Sequence, residues 1–199
     1  MFDSGMTALD LIEQIESEAD IAAEVPQESF VRWLNTVEQL LYTEIIKEQS
    51  EVQITNVKSP VQLSSLDPVD GASPIRYEDI HAVFRDDIQL IESTLLSGEI
   101  FPDSYYKVEN ALGLNLAELP KKIRIFYHVR PELKKIGNLS AQNVKIPPEF
   151  LELVAAKLRG EAYKSVNEDG LAAKWLNDYN ILLETFKAWI AAKEPSFGM

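Results

Sequence analysis

The hydrophobic period of this chain changes twice, and that change restricts its folds more than any other feature. Up to about Gln49, apolar residues recur every three or four positions. Leu9, Ile12, Ile15, Ala19 and Ala22 mark one stripe; Phe30, Leu34, Val37, Leu41 and Ile45 mark a second, widened by Trp33 and Leu40. From Glu51 they alternate, as in Val52 and Ile54, and most clearly in Ile123, Ile125, Tyr127 and Val129. After Ile146 the longer spacing returns, through Phe150, Val154, Leu158 and Ala162, then Leu171, Trp175, Tyr179, Leu182, Phe186 and Trp189. A period near 3.6 lines one face of a helix, and a period of 2 lines one face of a strand.

Local signals place the boundaries. Thr7 with Asp10 is an acidic form of the capping box and opens a helix reaching about Glu24. Pro26 opens a second helix to about Gln49, proline being suited to a first turn. Pro60, Pro68, Gly71 and Pro74 cut the next stretch into short pieces. Strands are expected at residues 75–77, 80–84 and 123–129, with a turn at Asp86-Asp87. A hairpin is expected at 105–108 and 112–114, and residues 88–96 fit either a strand or a short helix. Pro147, Pro148 and Glu149 start a third helix, and Asn167 to Gly170 separates it from a fourth ending near Lys193. The expected fold class is therefore α+β, mainly α. It is a four-helix bundle built from N- and C-terminal helical hairpins (residues 1–51 and 146–199) around a β-rich insertion with long loops (52–145). Neither hairpin buries its stripe alone, so the helices should share one core.

Charge is distributed as unevenly as period. The chain carries 32 acidic and 19 basic side chains, a net charge of −13 over 199 residues. Residues 1–51 hold 12 acids against 2 bases, a net −10. Residues 121–145 run the other way: Lys121, Lys122, Arg124, Arg130, Lys134, Lys135 and Lys145 face one acid, Glu132, a net +6. Two readings of this basic run stay open, an ordinary solvated strand and loop or a surface that docks the acidic helices of a neighbouring copy or a partner. The overall acidity argues against nonspecific nucleic-acid binding, which needs basic charge.

Catalytic and metal chemistry finds little footing. Cysteine is absent and there are two histidines, which removes thiol chemistry and most histidine triads and zinc sites. Glu78-Asp79 and Asp86-Asp87 are adjacent carboxylates, which on a strand point to opposite faces. Glu78, Asp79 and His81 lack a second spaced ligand pair. His128 reads as a strand-surface residue beside Arg124, Phe126 and Arg130. No phosphate-cradling glycine motif and no GxSxG occurs. The expectation is a chain that is not an enzyme, with no cofactor and no metal. No run approaches the roughly 20 apolar residues of a membrane helix. The acid in Met1 to Met6 is unlike a signal peptide, so the expected setting is the cytosol or an assembly built there.

Several segments resemble one family. Phe30-Val31-Arg32-Trp33-Leu34-Asn35, Pro102-Asp103-Ser104-Tyr105-Tyr106, Ile123 to Pro131 with its Tyr-x-x-x-Pro ending, Ile146-Pro147-Pro148-Glu149-Phe150 and Ala172 to Tyr179 are similar to the head–tail adaptor proteins of tailed bacteriophages, the gatekeeper or head-completion proteins. The resemblance implies a virion protein at the head–tail interface, assembled in the bacterial cytoplasm. It also implies a homo-oligomeric ring, twelve-fold, docked on a portal protein. Such a ring extends the DNA channel without binding the DNA specifically, and offers a platform to tail or neck proteins. It implies a portal-facing last helix and tail, here Trp189, Pro195 and Phe197. A ring needs a heterologous pair of surfaces, for which Lys121, Lys122, Arg124, Arg130, Lys134 and Lys135 are the docking candidates. A channel wall that repels phosphate suggests Glu13, Glu16 and Asp20 as lumen-lining acids. The alternatives are a stopper or other neck protein, and an acidic helical interaction module.

Overall fold

The computed structural model describes residues 1–19, 24–94 and 101–193. It divides into two compact units, one from Met1–Ile46 with Leu133–Met199, the other from Lys47–Glu132.

In the first unit, helix α1 (Ala8–Ala19) is capped as its sequence suggests: the Thr7 hydroxyl accepts the Asp10 N–H at 3.1 Å and donates to the Asp10 carboxylate at 2.7 Å. Helix α2 (Gln27–Leu40) begins after Pro26 and widens into a π-helical turn over Leu41–Ile46. An irregular stretch with short 3-10 turns at Ile136–Ala141 and Pro148–Phe150 leads into α3 (Leu151–Ser165), followed by α4 (Asp169–Lys193). Helix α3 is the axis of this unit. Its Leu153, Val154, Ala155, Ala156, Leu158, Arg159, Gly160 and Ala162 are buried, and so many consecutive positions leave only a narrow edge at Lys157 and Glu161 and the helix ends to reach solvent. It packs against α1, α2 and α4. Helix α4 buries only Ala172, Tyr179, Phe186 and Ile190, one stripe along 25 residues. Leu139, Val144, Ile146 and Phe150 of the irregular stretch complete the core.

The second unit holds strands β1 (Gln49–Thr55), β2 (Val61–Gln62), β3 (Ile80–Arg85), β4 (Ile88–Gln89), β5 (Ile91–Ser93), β6 (Ser104–Val108), β7 (Ala111–Asn115) and β8 (Lys122–His128). They form two four-stranded sheets, ordered β1-β8-β3-β4 and β2-β7-β6-β5. All pairings are antiparallel except β5 with β6. Val83, Ile123 and Ile125 from the first sheet share one core with Val61, Tyr105, Leu112 and Leu114 from the second.

The expected mainly-α four-helix bundle with a β-rich insertion is thus corrected. The middle of the chain builds two four-stranded sheets with a hydrophobic core of their own. The helical unit, for its part, is one central helix enclosed by three others and an irregular segment. The physical reason is that each β hairpin has an inward apolar face that must be covered, and a second sheet covers it.

Candidate functional site

The outer face of the β1-β8-β3-β4 sheet carries the exposed part of the basic run. Strand β8 alternates, so Ile123, Ile125 and Tyr127 fill the core while Lys122, Arg124, Phe126 and His128 project from the opposite face, each half-buried. Arg124 is held there by its neighbours. Its guanidinium lies 5.4 Å from the ring centre of Phe84 and 5.7 Å from that of Phe126. The two rings meet edge-on at 5.4 Å. One Arg124 nitrogen donates to the Asp87 carboxylate at 3.2 Å and to the Asp86 carbonyl at 3.3 Å. A guanidinium over an aromatic face keeps its charge while sharing apolar cover. Lys122 pairs in register with Thr55, and Lys121 is exposed just before the strand, its carbonyl accepting the Asn56 N–H at 3.0 Å.

Arg130 and Lys134 do not join this surface. Arg130 is buried, its Nε donating to Asp79 Oδ1 and an NH2 group to Asp79 Oδ2, both at 2.7 Å, with a further bond to the Pro74 carbonyl at 3.2 Å. The Lys134 ammonium lies 2.8 Å from Glu38 Oε2, with side chains 2 % and 1 % exposed. Asn35 brackets the Lys134 backbone, accepting its N–H at 2.7 Å and donating to its carbonyl at 3.1 Å. The Lys145 N–H donates to Glu38 Oε1 at 2.6 Å. Burial pushes the Glu38 carboxyl above the usual range, with Lys134 and these donors offsetting part of the shift. Both cations therefore hold their units together, and they leave the docking set. Lys135 is exposed, its N–H bonded to the Gln142 side chain at 2.8 Å, and the Lys145 ammonium pairs with Asp3 at 3.0 Å. The basic run is also cut by the division between Glu132 and Leu133, so Lys121, Lys122 and Arg124 belong to one unit and Lys135 and Lys145 to the other.

Among the proposed lumen acids, Glu13 is exposed on α1 and Glu16 half-buried one turn later; partial burial and the Glu13 charge raise the Glu16 carboxyl. Asp20 lies outside the described residues, as do Pro195 and Phe197 of the tail. Glu18 pairs with the buried Arg159, which also meets Glu152 and stacks 4.6 Å over Trp175. Trp189 is half-buried in an aromatic cluster, with ring centres 5.2 Å from Phe150, 5.8 Å from Phe2 and 6.1 Å from Phe186. The Lys193 ammonium caps its outer face at 3.6 Å.

The acid groups weighed for chemistry are otherwise engaged: Asp79 with Arg130, Glu78 with Lys107. Among the described residues no group of three or more histidine or acidic side chains is placed to hold a metal. What sequence reasoning missed is that His81 and His128, the two histidines of the chain, lie with ring centres 5.5 Å apart. Among the described residues no helix is long and apolar enough to cross a membrane. No protein-family model matches the chain, and no curated protein matches it.

Proposed function

We propose that this chain is a head–tail adaptor of a tailed bacteriophage. In this reading it is a non-catalytic protein that assembles into a ring on a portal, extends the DNA channel and presents a platform to the next tail or neck component. The reading rests first on the sequence resemblance. The observation that supports it in three dimensions is a pair of unlike exposed surfaces. One is the cationic, aromatic face of Lys121, Lys122, Arg124, Phe84 and Phe126; the other is the acidic side of α1 and the start of α2, with Glu13, Glu24 and Glu28 exposed. Head-to-tail contact between copies needs two different complementary surfaces, and charge complementarity sets its register.

The test is electron microscopy of the purified chain mixed with portal rings. Stacked rings are expected. A chain that stays monomeric with every portal offered overturns the reading. One that binds only a preassembled adaptor ring is a stopper instead. Reversing Lys121, Lys122 and Arg124 together to glutamate should prevent ring assembly at low salt. Unchanged assembly across a range of salt removes this face from the contact.

A further inference from the structure

We propose that His81 and His128 form a two-histidine chelate for a divalent transition-metal ion, with copper(II) bound most tightly and nickel(II) and zinc(II) more weakly. The two residues come from neighbouring strands. Tyr127 and Phe126, consecutive on β8, pair with Ile80 and Ala82 on β3. His81 is therefore the extra residue of a β-bulge, a device that re-aims a side chain. It turns His81 toward His128 on the outer face of the sheet, where the ring centres are 5.5 Å apart and the planes inclined by 56°. An ion bound at about 2.0–2.1 Å to one nitrogen of each ring, at a tetrahedral angle, sets the ring centres about 5 Å apart. The observed separation of the ring centres, 5.5 Å, is close to that arrangement.

The second shell of one ligand is already in place. His128 Nδ1 lies 3.4 Å from the Lys47 carbonyl. A carbonyl only accepts, so the ring that makes this contact uses Nδ1–H as donor, and Nε2 is the nitrogen left to meet a metal. Metal-bound imidazoles commonly donate their other N–H to a backbone carbonyl in this way. His81 is exposed, leaving an open side on which water completes the coordination. Of the charged side chains on this face, Glu51 is diagonal to His128 across β1 and favours a cation, while Arg124 is turned into Phe84, Phe126 and Asp87. Imidazole suits copper, nickel and zinc, and affinity for such a site rises toward copper.

The experiment uses the full chain without a polyhistidine tag, titrated calorimetrically with copper(II), nickel(II) and zinc(II) chlorides. One ion per chain is expected, with affinity in the order copper over nickel and zinc. His81→Gln and His128→Gln should each weaken copper binding about tenfold or more, at least the cost of losing an outer-shell partner, with circular dichroism unchanged. Electron spin-echo modulation of the copper-loaded chain should show two coordinated imidazoles. The proposal is overturned if either variant binds copper as the parent does, or if the spin-echo signal shows one imidazole or none.

Discussion

The buried Glu38–Lys134 pair gives the sharpest test of how the helical unit is held. Lys134→Met keeps the length and apolar volume of the side chain but strands the Glu38 carboxylate, whose own side chain is 1 % exposed. Removing one partner of a buried pair costs about 3–5 kcal/mol, because the remaining charge is left unsolvated. The Lys145 N–H still reaches Glu38 Oε1 at 2.6 Å, which puts the expected loss near the lower end, about 3 kcal/mol. With a urea slope of about 2 kcal/mol/M, the midpoint should fall by about 1.5 M. The assay is built into the sequence: Trp33, Trp175 and Trp189 are the chain's three tryptophans and all belong to the helical unit. Tryptophan fluorescence therefore follows that unit alone. The double variant Glu38→Gln/Lys134→Met removes both charges and should recover most of the loss.

The same variant has a pH signature. The folded-state pKa of Glu38 is raised above its ordinary 4.5, and loss of the Lys134 ammonium raises it further. Between the unfolded and the folded value, unfolding releases a proton, so stability falls as pH rises through that window. The deficit of Lys134→Met should be full above the folded value and shrink as pH falls toward 4.5. A loss under about 1 kcal/mol at pH 7, no larger than that of an exposed pair, would refute the reasoning. So would a double variant as unstable as the single one.

Gly160→Ala should destabilise the helical unit although alanine favours helix. The new Cβ would sit 2.7 Å from Leu176 Cδ2 and 3.3 Å from the Leu176 backbone nitrogen. Overpacking of about 1–3 kcal/mol against a propensity gain of about 1 leaves a net loss of about 1 kcal/mol, measured by the same fluorescence midpoint. Burial and the nearby Glu92 charge push the Tyr105 phenol from 10.0 up to about 12. The β unit should therefore lose stability as pH rises above 10.0, since unfolding then releases that proton; absorbance at alkaline pH should show Tyr105 ionising only near unfolding. Asp87→Asn removes the carboxylate that shares Arg124 at 3.2 Å. It should change stability by under about 1 kcal/mol and, in a light-scattering assay at low salt, speed ring assembly; slower assembly would count against Arg124 as a contact.

The regular elements were legible where burial is one-sided. Ile123, Ile125 and Tyr127 alternate because β8 buries one face; the hairpin of β6 and β7 was legible from its Glu109-Asn110 turn instead, since β7 buries four consecutive residues. Strand β1 overlaps the expected second helix only at Gln49; its Val52 and Ile54 alternate with exposed neighbours, but none of its seven residues is fully buried, so the strand period is readable only from Glu51. Residues 75–77 read as a strand, but Asp79 accepts the Arg76 N–H at 2.9 Å and turns Tyr77–Asp79 into a 3-10 helix. A side-chain cap of that kind outweighs a short apolar run. The pairing of the histidines depends on a bulge, and a bulge changes register without changing composition.

Charge was the least legible property, because a sequence counts charges but does not say which are solvated. Arg130 and Lys134 sit in one basic run, yet each is buried against an acid far away in the chain, Asp79 and Glu38. Arg159 is likewise enclosed by Glu18 and Glu152. Arg130 and Lys134 cannot meet a partner without leaving Asp79 and Glu38 unpaired in the interior, which is costlier than any surface contact returns. The free positive surface of the run is correspondingly smaller than its net +6. In the β unit it narrows to Lys121, Lys122 and Arg124, the last oriented by two phenylalanine rings. A partner suited to that face must therefore bring carboxylates together with apolar area, since a purely acidic surface would leave Phe84 and Phe126 uncovered.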